Sequence, residues 1–337
     1  MPMNLCVAGA MIAALTFYAL LAGADYGGGV WDLLAFGRRA KAQRDLIAHA
    51  IGPVWETNHV WLILLVVLLF VGFPMAYAAL ATALHIPLTL ALIGIVLRGA
   101  AFTFRTYDSQ RDDVQRRWSR LFSYASLVTP VLLGVTLGAM ASGKITVEND
   151  IVTSGYVLSW LAPFPFAVGF FVLVLFAFLA AVYLTLETND PELQDDFRKR
   201  ALAAGVVSGI MAALVFVLSA EGAPKVRAGL TASYFAIPLH GLTALCALGA
   251  FYTLWKRQYS AARILVAAQI SLILWGWALA QYPCIIEPNI TIDSAAAPPA
   301  MLRLLLIALA AGSIVLFPSI YYLFRIFKSE VTAVEEH

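Results

Sequence analysis

Trp55-Glu56-Thr57-Asn58-His59 runs directly into the apolar stretch from Val60 to Phe70. A charged side chain inside a membrane span costs ~2.5–3.5 kcal/mol on the insertion scale, and chains that keep an acid there usually use it to bind or move protons or ions. Glu56 and His59 are three apart and Trp55 and His59 four apart, so a helix here would put them on one face. A carboxylate taken out of water holds its proton more tightly, and a nearby imidazole can trade protons with it. Asp25 stands near the end of an earlier apolar stretch and is followed by Tyr26 and Gly27-Gly28-Gly29. Glycines in membrane helices permit close helix contact, which here would bring another backbone near Asp25. The competing view has Glu56 snorkelling at the interface with His59 as partner, and Trp55 and Trp61 as belt residues. Arg98 closes a further apolar stretch; on physics alone it is expected to anchor that helix to headgroups, although turned inward it could neutralise Asp25 or Glu56.

Nine apolar stretches position these residues. The chain is 61% hydrophobic and 12% charged, against roughly 25% charged in a soluble domain; its mean hydropathy is +0.83. This composition predicts an all-α integral membrane protein. A crossing needs about 20 apolar residues, and spans are expected near 5–24, 56–73, 76–97, 121–142, 161–186, 201–220, 234–255, 262–281 and 301–327. The spans divide naturally into a first four-helix unit (1–142), a second (161–281) and a peripheral ninth helix (301–327), all in one polytopic domain. No self-similarity links the halves, and the second has no counterpart of Trp55-Glu56-Thr57-Asn58-His59.

Charge placement predicts orientation. All but four of the 22 Lys and Arg follow the odd-numbered spans or lie in the tail; the four are Lys144, Lys225, Arg227 and Arg303. The bias sets the N-terminus outside and the C-terminus in the cytoplasm. Glu56 and Asp25 then reach the same depth near the cytoplasmic face. Ala22-Gly23-Ala24 imitates a signal-peptidase site, but the positive residues follow the apolar stretch rather than precede it, so a retained first span is expected.

Other chemistries find little support. There is no basic tract for nucleic acid and no phosphate loop. Cys6, Cys246 and Cys284 form no Cys-x-x-Cys pair; free cysteines are expected, with a Cys6–Cys284 bridge the minority alternative. His85, in the middle of the predicted third span, and His240, in the outer half of the seventh, invite a heme hypothesis. Their inferred depths differ, so satisfied core histidines are expected. Glu287 and Asp293 have no metal-ligand partners at useful spacing, and no metal site is expected. The Pro-broken segment Tyr282 to Ile292 is expected as a loop packed on the outer surface or on a partner.

Taken together, the motifs resemble subunit II of the cytochrome bd quinol oxidases. Gly23-Ala24-Asp25-Tyr26-Gly27-Gly28-Gly29 is similar to that family's Gly-Phe-Asp-x-Gly-x-Gly. Ile51 to Ile63 is similar to its Pro-x-Trp-Asp-Gly-Asn-x-Val-Trp-Leu-Ile. Arg98-Gly99-Ala100-Ala101-Phe102-Thr103-Phe104-Arg105 is similar to its Arg-Gly-x-x-Phe-x-Phe-Arg, and the Tyr282-Pro283 segment to its loop before the last helix. Glu56 replaces the usual Asp, Thr57 replaces Gly, and His59 stands where Gln or Glu is common.

The resemblance implies a bacterial inner-membrane complex that oxidises quinol and reduces dioxygen to water. The b-type and d-type hemes would sit in the partner, subunit I, and none in this chain. Subunit II would support that partner, and Glu56 would match the acidic residue at the mouth of a cytoplasmic proton path. Asp25 and Arg98 match further polar positions, with His59, Asn58 and Trp55 beside them. Some members also hold a structural quinone, which these motifs do not place; small accessory subunits and the quinone type are likewise outside their reach. The rival from another class is a stand-alone proton-coupled transporter using Glu56 as coupling carboxylate; a purely structural subunit comes next and a heme protein last.

Overall fold

The computed structural model describes residues 2–52, 55–107, 112–149 and 151–333, with the side chains of 105–107, 112–116 and 324–333 outside that description. The long helices are α1 (Met3–Leu33), α2 (Ala40–Ile51), a single turn α3 (Trp55–Asn58), α4 (Val60–Gly72), α5 (Pro74–Ala83), α6 (His85–Tyr107) and α7 (Asp112–Ala141) in the first half. A two-residue hairpin, β1 (Val147–Glu148) with β2 (Ile151–Val152), leads to α8 (Pro163–Leu184), α9 (Pro191–Gly222), α10 (Pro224–Ala232), α11 (Ala236–Trp255) and α12 (Tyr259–Gln281). A second hairpin, β3 (Cys284–Ile286) with β4 (Ile290–Thr291), precedes α13 (Pro299–Ala333). Among the described residues, nine helical segments are long and apolar enough to cross a membrane.

Proline sets many of the boundaries. Pro74, Pro163, Pro191 and Pro224 sit in the first turn of their helices, where a missing N–H costs nothing. Asp190 caps α9 by accepting from the Glu192 N–H at 2.8 Å. The expected third span at 76–97 is displaced. Its apolar run continues through Leu84, but Leu84 leaves the helical region (φ −115°, ψ 20°), and Pro87 has no N–H to continue the ladder from Ala83. The chain therefore makes a short α5 and restarts at His85, and the crossing segment becomes His85–Phe104. Part of the polar stretch 107–120 lies outside the described residues.

The core is built where small residues let backbones meet. α8 packs against α1, α7 and α9. A β-carbon on Gly27 would overlap the Phe176 carbonyl of α8, so only glycine allows this approach. Trp31 Nε1 donates to the Ala177 carbonyl at 2.8 Å, fixing the same pair of helices further along. The largest apolar cluster draws on α1, α2, α4, α6, α7, α8, α9, α11 and α12 together. α13 touches α1 and α4 and buries only 6% of its spanning window, which makes it peripheral.

The segment after α12 is ordered by its own contacts. Ile286 and Ile290 enter a second apolar cluster with Phe73, Leu84 and Ile145. Glu287, 3% exposed, meets Lys225 Nζ at 2.9 Å, and its N–H donates to the Met140 carbonyl. The three cysteines are free.

Candidate functional site

The helix break moves Arg98 well inside α6, so the anchoring expected of it does not hold. It is 1% exposed and turns into the protein. Its Nε donates to Ser126 Oγ of α7 at 3.2 Å, and its guanidinium lies over the rings of Tyr26 (4.7 Å) and Phe122 (5.2 Å). Cation–ring contact stabilises a desolvated guanidinium by about 2 kcal/mol, less than the several kcal/mol its burial costs. Nη2 has no protein hydrogen-bond partner.

Asp25 lies about two turns from the end of α1 and is 5% exposed. Its Oδ2 accepts from Asn58 Nδ2 at 2.8 Å. Asn58 is itself 2% exposed, and its Oδ1 has no protein partner. The two residues meet because α3 is a single turn packed against α1, after which the chain turns at His59 and restarts as α4.

Glu56 and His59 differ in burial although the His59 N–H still donates to the Glu56 carbonyl at 3.2 Å. Rather than sharing a buried face, Glu56 is exposed while His59 is half-buried with both ring nitrogens out of solvent reach and without protein partners. The imidazole sits among the rings of Tyr18 (5.9 Å), Tyr26 (6.0 Å) and Trp55 (6.4 Å). Trp55 is packed against Phe102 and edges onto His59 rather than standing in a surface belt, and Trp61 is buried and stacked on Phe17 at 4.4 Å. Tyr18 and Tyr26 join through their hydroxyls at 3.2 Å.

The structure thus gathers Asp25, Asn58, His59, Trp55 and Arg98 around Tyr26, and sets Glu56 at the surface of the same turn. Buried polar atoms are almost always satisfied, by water where protein does not serve. Asn58 Oδ1, Arg98 Nη2 and the two His59 nitrogens are four such atoms near one buried carboxylate. Sequence reasoning missed Tyr18, Ser126 and a second buried acid, Asp32, whose Oδ2 accepts from Ser123 Oγ at 2.9 Å. Spacing carried a signal: Asp25 and Asp32 are seven apart, two turns along one helical face.

The histidines proposed for heme are not core residues. His85 opens α6 and His240 lies in the first turns of α11; both are exposed, and each Nδ1 bonds a carbonyl of the preceding turn, Thr82 at 2.9 Å and Ala236 at 2.6 Å. They lie on different helices, α6 and α11, and no ring contact joins them among the described residues, so they do not form the facing pair of axial ligands that a bis-histidine heme would use. Among the described residues, no three His, Cys, Asp or Glu side chains cluster as metal ligands.

Nine segments long and apolar enough to cross a membrane among the described residues, with Asp25, Asp32, Asn58, Arg98, Ser123 and Ser126 buried between α1, α3, α6 and α7, define an integral membrane protein. Residues 3–327 match the family model for cytochrome bd terminal oxidase subunit II. A Bacillus subtilis protein whose name places it in a cytochrome bd menaquinol oxidase as subunit II is 24% identical, over 93% of this chain and 92% of that one. The cytochrome bd-I ubiquinol oxidase subunit 2 of Escherichia coli K12 is 27% identical over 59% of this chain and 52% of its own length. The bd oxidase structure from Geobacillus thermodenitrificans superposes with a TM-score of 0.81, covering 97% of this chain and 99% of that one at 20% identity. The chain belongs to the cytochrome bd terminal oxidase subunit II family, whose members are subunits of an oxidoreductase complex.

Proposed function

We propose that this chain is the heme-free subunit II of a quinol-oxidising, dioxygen-reducing complex, and that it supplies the cytoplasmic proton entrance. It would support a heme-bearing subunit I carrying the b-type and d-type hemes. The observation that carries the proton role is Asp25: a buried acid held by Asn58 among four unpartnered polar atoms. Glu56, exposed on the adjoining turn, is the group that would take protons from water. Asn58 orients the Asp25 carboxylate. Arg98 keeps a positive charge beside it, which lowers the cost of carrying negative charge there between proton arrivals. His59, Tyr18 and Tyr26 line the space in which water would connect the two acids.

Reduction of one dioxygen to two waters consumes four protons. If those enter here while quinol protons leave on the outer side, the complex builds a gradient without pumping. The orientation, N-terminus outside and C-terminus cytoplasmic, rests on the Lys and Arg bias. The division at 1–142, 161–281 and 301–327 belongs to the same proposal, with α8 as the joint between units. Relatives named for menaquinol and for ubiquinol leave the quinone open.

The test is oxygen uptake by the assembled oxidase. Asp25→Asn should slow quinol-driven oxygen consumption by about tenfold or more, toward the ~10²–10⁴-fold that a positioned proton-transfer group contributes, with heme content intact. Glu56→Gln should slow it less, because other surface groups and water can feed the same mouth. Normal turnover in both variants would leave only a supporting role.

A further inference from the structure

We propose that Asp32 is a second proton-carrying carboxylate, nearer the end of α1 than Asp25 and joined to it by a row of hydroxyls on α7. The proposal rests on the proton-uptake role assigned above and adds a route to it. Asp25, Gly29 and Asp32 lie four and three residues apart on α1 and share one face. Facing them, Ser119, Ser123, Ser126 and Thr129 repeat at steps of four, three and three along α7. The two rows touch. Ser123 Oγ donates to Asp32, and a β-carbon on Gly29 would overlap Ser126, so the missing side chain is what lets that serine lie between the two acids.

Every member except Ser119 is sealed from solvent: Asp32, Ser123, Ser126 and Thr129 are all buried. Ser126 receives the Arg98 Nε, so the row ends in the group of residues around Asp25. Two buried polar atoms at that end, Thr129 Oγ1 of the row and Arg98 Nη2 beside it, have no protein partner and point to water along the row. At the other end, the last turn of α1 is followed by exposed Leu34, and Arg44 donates to the carbonyls of Asp32 and Ala35. The acids are seven residues apart, about 10 Å of helical rise, too far for direct transfer.

The step balances without electrons. A protonated Asp32 gives its proton to a water hydrogen-bonded at Ser123 and Ser126. That water passes a proton through further water along the hydroxyl row to the Asp25 carboxylate, and Asp32 is reprotonated from the aqueous phase at the end of α1. Ser123 suits this work because its hydroxyl has two acceptors within reach, Asp32 Oδ2 and the Ser119 carbonyl, both at 2.9 Å. It can release one for the other as the carboxyl changes state.

The experiment uses the complete oxidase with Asp32→Asn, Asp32→Glu, Ser123→Ala and Asp25→Asn, and Asp45→Asn on the exposed face of α2 as control. Asp32→Asn should lower oxygen uptake about fivefold at unchanged heme content and raise the solvent deuterium isotope effect on the residual rate. Asp32→Glu should restore the rate, and Asp45→Asn should match the parent. A slow Asp25→Asn beside a normal Asp32→Asn would overturn the Asp32 route alone; normal rates in both would overturn the proton-uptake role as well. If Asp32→Asn does not assemble, Ser123→Ala decides: about threefold slower turnover with full heme content supports the route, and parent-like turnover overturns it.

Discussion

Asn58 makes a directional hydrogen bond to Asp25, where Arg98 is proposed to supply charge. Asn58→Leu removes the bond and leaves a buried carboxylate short of a donor, a loss of about 1–3 kcal/mol. It should therefore reduce both the thermal stability of the subunit and oxygen turnover, and a variant with normal Tm and rate would show the bond to be incidental. Arg98→Lys should not be a conservative change. The planar guanidinium lies over two rings while its Nε reaches Ser126, and an ammonium cannot do both. A Tm lowered by several degrees is expected for the purified subunit, and an unchanged Tm would mean the ring contacts contribute little. At the hairpin, burial and then the neighbouring Glu287 hold the Cys284 thiol above its ordinary pKa. The thiolate fraction is therefore small near neutrality and grows only at higher pH than for a free thiol. Iodoacetamide should label Cys284 at pH 8 more slowly than a free thiol; labelling as fast would contradict that environment.

Helix boundaries decide what the side chains can do, and they were legible unevenly. The apolar runs marked nine crossings, and glycines beside Asp25 correctly pointed to a close helix contact. The run from 76 to 97 misled because hydropathy is blind to backbone: Pro87 breaks the ladder within an unbroken apolar stretch. That one displacement turned Arg98 from a boundary residue into a buried one, and it moved His85 from mid-span to a helix start. The three-residue spacing of Glu56 and His59 carried no information on burial: Glu56 is exposed and His59 half-buried. Asp25 with Asn58 could not be read from spacing at all, since 33 residues separate them. The close contact of α1 with α8 makes its own prediction. Gly27→Ala places a methyl where the Phe176 carbonyl stands, and overpacking of this kind costs about 1–3 kcal/mol, occasionally more. Reduced yield of folded subunit is expected, with Gly9→Ala on α1, which meets open space, behaving as the parent.

Across the whole molecule, polar chemistry is concentrated at one end of α1, while the opposite end is held by a different device. Lys225 of α10 and Glu287 of the second hairpin form an asymmetric pair, the lysine largely exposed and the glutamate buried. Lys225→Ala strands a buried carboxylate, whereas Glu287→Gln leaves only an exposed lysine, so the first should loosen the hairpin more in limited proteolysis. Equal protection in both would contradict the asymmetry. The hydrogen bond to Glu287 raises the Lys225 pKa; its contribution is complete at neutral pH and is lost only as pH rises through that raised value. The two ends are joined by a core in which α8 touches α1, α7 and α9. Protons for oxygen reduction are proposed to pass through Asp25. The most direct measurement reconstitutes the oxidase in vesicles and follows proton uptake from the cytoplasmic side during a single reaction with oxygen. Asp25→Asn should delay that uptake by about tenfold while the hemes remain present and reducible; uptake at the parent rate in that variant would rule out the Asp25 path.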